Sequence, residues 1–238
     1  EDPAPGTPPP TLYRELGGQA IATGLSEPRG LAVGPDDTIY IAGDRAIRPF
    51  TADGVRLADR RTVDPPRCLA LAPDGVAYVG FGDYVQAYSP QWEPAARWES
   101  LGPRAVIVSI AAGVRDIFVA DAGNRVVLHC NRAGRRIHEI GRKDDGRNIP
   151  GLVVPSAHMD VAIAPDGQLR VANPGRRRIE IYTFAGDLEE WWGESSPRPE
   201  GFAGCCNPVS FAVLPDGSIV TAEKGLPRVK LYDPLGNF

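Results

Sequence analysis

Apolar residues recur along this chain in short bursts, not at the spacing of a helix face. Each burst of small and branched residues runs into a polar turn, usually Pro-Asp-Gly. A second apolar run follows, as in Ile39-Tyr-Ile41, Ala77-Tyr-Val79 and Ile117-Phe-Val119. In such a turn Pro presets φ and Gly takes the positive φ of a tight hairpin, so each unit predicts two antiparallel strands. After a polar connection a third strand alternates, seen in Arg178-Ile-Glu-Ile-Tyr182 and Arg228-Val-Lys-Leu-Tyr232. A second Gly turn leads to a fourth, such as Ile137-His-Glu-Ile140 or Leu188-Glu-Glu-Trp-Trp192. No useful length of sequence carries a helical period, so the chain reads as all-β.

The unit repeats. Residues 28–42, 66–80, 158–172 and 208–222 align, and residues 108–120 form a degenerate copy. Four strands in roughly 40 to 50 residues is the size of one β-propeller blade. One blade cannot bury both of its faces, so neighbours must stack around an axis. The motif resembles the NHL-repeat family, whose unit runs Pro-x-Gly-[Ile/Leu]-Ala-Val-x-Pro-Asp-Gly-x-[Ile/Leu]-Tyr-Val-Ala-Asp. Residues 28–42 and the stretch Ala120-Asp-Ala-Gly-Asn-Arg-Val-Val-Leu128 carry the likeness most closely. The resemblance spans residues 12–238 and implies a propeller of four-stranded NHL-type blades. It says little of function, because such propellers serve many roles.

Six blades is the preferred count, since relatives of this pattern usually close at six and the last copy breaks off before a fourth strand. The last blade is then truncated. The alternative is a five-bladed ring closed by an N-terminal outer strand within Leu12 to Leu25. Residues 1–11 are read as a Pro-rich flexible tether, with five prolines among the first ten residues.

Composition narrows the partners. A net charge of -4 gives no electrostatic case for nucleic acid. The one basic run, Arg176-Arg-Arg178, reads as solvated surface. No stretch reaches the ~20 apolar residues of a membrane span. The chain does not start with Met, and its one Met is Met159. A removed N-terminus, with a signal or membrane anchor upstream of the tether, is the expectation, and with it an extracytoplasmic location, periplasmic, secreted or membrane-anchored.

Of four cysteines, Cys68, Cys130, Cys205 and Cys206, none has the spacing of a structural zinc site. The distinctive pair is Gly204-Cys-Cys-Asn-Pro208, just before the inner strand of the last copy. Cys205 and Cys206 are either a vicinal disulfide or two reduced thiols packed under a loop. His158 and Asp160 open the fourth inner strand in the register of Pro28 and Gly30. Asp160 is read either as a channel-mouth ligand group or as an acceptor for a neighbouring blade's amides. Arg29 and Arg67 are equivalent in two copies and are read either as lining one mouth or as packing against carbonyls. The loops after the second strands diverge, most in Glu223 and Lys224. Asn207 adjoins them. His129 and His138 are expected at outer or bottom-face positions without a role. Trp191 and Trp192 should point to opposite sides of an outer strand.

One enzyme class of the NHL family, the peptidyl-α-hydroxyglycine lyases, holds zinc through histidines from separate blades. With three His in all, and His158 alone at an inner-strand start, that set is absent here. No catalytic residues are assigned. The sequence favours a non-catalytic scaffold over an enzyme. It would bind a protein partner or small ligand on the axial face through Arg29, Arg67, His158, Asp160, Asn207, Glu223 and Lys224, alone or within a larger, redox-linked assembly. No cofactor is expected. The alternative is a metal-dependent hydrolase or lactonase whose axial ion would draw on His158, Asp160, Cys205 or Cys206, with Asn207 and Glu223 nearby.

Overall fold

A computed structural model describes residues 20–225 and 228–238. The expected tether, and the expected N-terminal outer strand up to residue 19, lie outside them. The strands form five antiparallel sheets in chain order. Blade 1 holds β1 (Pro28–Val33), β2 (Ile39–Gly43), β3 (Ala46–Phe50) and β4 (Arg60–Arg61). Blade 2 holds β5 (Cys68–Leu71), β6 (Ala77–Gly80), β7 (Val85–Tyr88) and β8 (Pro94–Arg97). Blade 3 holds β9 (Ile107–Ala112), β10 (Asp116–Asp121), β11 (Val126–Asn131) and β12 (Arg136–Ile140). Blade 4 holds β13 (Val161–Ile163), β14 (Leu169–Asn173), β15 (Arg178–Tyr182) and β16 (Leu188–Trp192). Blade 5 has three strands among the described residues, β17 (Ser210–Val213), β18 (Ile219–Glu223) and β19 (Arg228–Tyr232).

The fold is thus a β-propeller, and five blades match the alternative count; a sixth is not among the described residues. Innermost strands meet in succession, β1 on β5, β5 on β9, β9 on β13 and β13 on β17. The core lies between blades, where Phe118, Val127, Leu169 and Tyr182 join blades 3 and 4. Leu31 and Val33 on β1, 67% and 56% exposed, and Val229 on β19, 72% exposed, mark the outer faces of the first and last blades. Residues 20–25 form no strand. They run beside blade 1, where Arg48 donates to the Thr23 carbonyl at 2.6 Å.

The hairpins obey the turn chemistry. Gly75, Gly167 and Gly217 take φ of 82°, 78° and 86° in the first hairpins of blades 2, 4 and 5. In blade 1 the same place is held by Asp37 at φ 59°, one of the few non-glycine types that tolerate the left-handed region.

The register also defines an axial ring. Gly30 pairs with Ala42, Cys68 with Gly80, Ser109 with Ala120 and Ser210 with Ala222. Asp160 stands opposite Ala172, whose amide donates to its carbonyl at 2.9 Å. Gly30, Cys68, Ser109, Asp160 and Ser210 are therefore equivalent, one per blade. Their partners are all Ala or Gly because the inner strands converge there. A Cβ on Gly80 would stand 2.5 Å from Cys68 Sγ, and one on Gly30 would stand 2.9 Å from the Cys68 Cα.

Candidate functional site

The axial ring is tied up internally. The Asp160 carboxylate accepts from Ser109 Oγ at 2.5 Å, Ser210 Oγ at 2.5 Å, and the amides of Val161 and Phe211, each at 2.9 Å. It clamps blade 4 to both neighbours. Its enclosure outweighs these donors and holds the carboxyl above the usual carboxylate range. Burial, reinforced by the Asp160 charge, pushes the Cys68 thiol up to about 12.

A second shared position is the last residue of the second strand in blades 3, 4 and 5, and Asp44, one residue further on in blade 1, does similar work. Asp44 accepts from the Ser26 and Glu27 amides, Asp121 from the Val106 amide, Asn173 from the Val153 amide and Glu223 from the Ala203 amide, all at 2.9 to 3.0 Å. Each polar side chain pins the segment that enters its own blade. Glu223 does so from full burial and pairs with Arg228 and Lys230, each at 2.8 Å. Burial alone would raise its pKa. Arg228, Lys230 and the Ala203 amide outweigh burial and hold the carboxyl below the usual range. Asn207, also buried, donates to the carbonyls of Ala203 and Lys224 and accepts from the Lys224 amide. Asn207 and Glu223 thus hold the same residue, Ala203, in one network, and Asp160 serves another at the axis.

Two surface features remain open. The first is a cleft of ≈ 780 Å³ at the loops of blades 1 and 2, lined by Glu27, Arg29, Asp44, Arg45, Asp64, Pro65, Arg67, Gly82, Asp83 and Tyr84. Arg29 and Arg67 both line this cleft. Most other groups there are engaged. Arg29 pairs with Glu27 at 2.6 Å, Arg45 donates to the Val63 carbonyl at 2.5 Å, and the Tyr84 hydroxyl donates to Asp64 at 2.7 Å. Burial and the Asp64 acceptor push the Tyr84 phenol up to about 12. Asp83 accepts from Ser100. The half-buried Arg67 is the one guanidinium of the three without a side-chain hydrogen bond or ion pair among the described residues.

The second is the cysteine corner between blades 4 and 5. Cys205 is exposed, Cys206 is buried, and their sulfurs are 3.1 Å apart. Arg177 Nε donates to the Gly204 carbonyl at 2.6 Å, and Lys224 Nζ donates to Ser156 Oγ at 3.2 Å. Exposed His158 lies close enough to Lys224 for that charge, after partial burial, to hold the imidazole below its usual value. Cys205, Cys206, His158 and Lys224 are thus brought to one corner, while Arg29 and Arg67 lie at the other cleft. Among the described residues, no group of three His, Cys, Asp or Glu side chains is placed to hold a metal ion.

Two local expectations give way. The Arg176-Arg178 run is not plain solvated surface. Arg178 pairs with fully buried Glu180 at 2.5 Å, and Arg176 donates to the carbonyls of Gly151 and Pro150. His129 is buried between blades 3 and 4, bound to Asp116 at 2.8 Å and to the Phe184 carbonyl at 3.0 Å. Trp191 and Trp192 do divide, at 51% and 9% exposed.

No protein-family pattern matches the chain, and no curated protein matches it. Solved structures do. Virginiamycin B lyase from Staphylococcus aureus matches with a TM-score of 0.57 at 14% identity, over 87% of this chain and 69% of that one. A protein of unknown function from Bacteroides thetaiotaomicron matches at 0.66 and 16%, over 89% of this chain and 56% of that one. Another from Bacteroides caccae matches at 0.63 and 13%, over 89% and 79%. These are propeller proteins, and at such identities the likeness establishes the propeller fold alone. The NHL kinship stays a resemblance of residues.

Proposed function

We propose that this chain is a non-catalytic binding scaffold, working outside the cytoplasm from a tether or within a larger assembly, whose recognition site is the blade 1–blade 2 cleft. The observation that carries the reading is Arg67. Its guanidinium sits half-buried in a concave site where the neighbouring acids Asp64 and Asp83 accept from Tyr84 and Ser100 and neither pairs with it. A fork of donors in that setting suits a carboxylate, which it can hold bidentately. Arg29, held only by exposed Glu27, can swing to join it. The fitting ligand is an acidic side chain or terminus on a protein partner.

The hydrolase alternative needs axial carboxylates free to hold an ion, and the hydrogen bonds of Asp160, Asn207 and Glu223 speak for scaffold duty instead. The test is capture from an extract of the source cells on the immobilised full chain. The wild type is expected to retain a protein that Arg67→Glu does not. Equal capture by both would contradict the cleft as the site. Turnover of a lactone or ester panel by the full chain that a chelator abolishes would favour the hydrolase.

A further inference from the structure

The loop 203–207 does more than connect blades. Its backbone is pinned on both sides of the cysteines. Arg177 holds the Gly204 carbonyl, and the Asn207 side chain grips Ala203 and Lys224. The two sulfurs are thereby kept 3.1 Å apart, one facing solvent and one facing inward. Cys206 is stabilised as thiolate by Cys205 first, then by Ser156 and the charges of Lys224 and Arg177, which together outweigh its burial. Cys68 and Cys130 differ on every count. Both are buried, and burial pushes their thiols up to about 12 and about 11. Packing does not explain the pair either, since a small apolar filler would not leave Cys205 exposed.

We propose that Cys205 and Cys206 form a two-electron thiol–disulfide exchange site whose substrate class is a low-molecular-weight organic disulfide. From the dithiol, one proton leaves to solvent and the other is shared between the sulfurs. With that proton on Cys206, exposed Cys205 Sγ attacks one sulfur of the disulfide RSSR. A mixed disulfide forms on Cys205, and RS⁻ departs. Cys206 then releases its proton, and its thiolate attacks Cys205 Sγ and expels the second RS⁻. Two protons and two electrons leave the protein, and RSSR becomes two RSH. Lys224 and Arg177 serve as positioning residues that favour the Cys206 thiolate in the closing step.

The test uses the full chain, reduced, freed of reductant and incubated with oxidised glutathione, then quenched and analysed by peptide mass. The wild type is expected to lose two hydrogens, localised to the peptide with Cys205 and Cys206, and to regain them with dithiothreitol. Cys206→Ser is expected to stop at a glutathione adduct on Cys205, and folded Cys205→Ser to take up neither. Lys224→Ala, which keeps the Arg177 clamp and removes a charge acting on both sulfurs, should slow adduct formation and ring closure alike and move the pH midpoint of both steps upward, which a purely structural role would not do. A wild type that stays unmodified, or that halts at the mixed disulfide as Cys206→Ser does, overturns the proposal.

Discussion

Ser210 of blade 5 donates to the Asp160 carboxylate of blade 4 at 2.5 Å, and Ser109 of blade 3 meets the other oxygen at the same distance. One carboxylate therefore staples three consecutive blades at the axis. Replacing it by Ala takes the acceptor from the buried Ser109 hydroxyl and Phe211 amide and from the exposed Ser210 hydroxyl. Asp160→Ala is expected to lose about 2–3 kcal/mol of stability, and Ser210→Ala about 0.5–1 kcal/mol, in urea unfolding. An Asp160 that served a ligand instead would be replaceable at little cost in stability.

Glu223 predicts a pH effect of definite sign. Its folded pKa lies below the ordinary 4.5, with burial overcome by Arg228, Lys230 and the Ala203 amide. The folded state therefore favours the charged form. The contribution is present above about pH 4.5 and fades as pH falls through the lower folded value. Thermal unfolding of the wild type should drop across that window. Glu223→Gln should be less stable at neutral pH by about 3 kcal/mol, the cost of leaving buried Lys230 without its carboxylate, and should show a flatter acid limb.

Asp37 offers a stabilising change. It holds φ 59° where three other blades place glycine, and its side chain is exposed. Asp37→Gly should relieve the left-handed strain and raise stability by about 0.5 kcal/mol, read as a small rise in the urea midpoint with unchanged slope. A fall would mean that the flexibility added to the unfolded chain outweighs the strain removed.

How much of this was legible in the sequence differs by element. The hairpins were, because Pro-Asp-Gly carries its own backbone geometry, and the copies placed Asp160 in register with Gly30 correctly. The opposed sides of Trp191 and Trp192 followed from the period of a strand. The duty of Asp160 could not be chosen, since its donors Ser109 and Ser210 lie about 50 residues away in either direction. Arg178 read as surface because its partner Glu180 is buried only once blades 3 and 4 stack, on the side of β15 that carries Tyr182. Glu223 looked like a departure from the pattern. It does the same work as Asp121 and Asn173 with a longer side chain, a likeness that shows only when each acceptor is seen on its incoming amide. The cleft was half visible, as the equivalence of Arg29 and Arg67. Its walls come from four loops that no single repeat contains.

The central claim is that a partner docks at the blade 1–blade 2 cleft, and a hydrogen-exchange footprint of the complex with the captured protein tests it most directly. Slowed exchange is predicted at residues 44–45, 64, 67 and 82–84, with no change across 137–140 or 188–191 on the outer strands of blades 3 and 4. Protection confined to those outer strands, with the cleft loops exchanging as in the free chain, would contradict it.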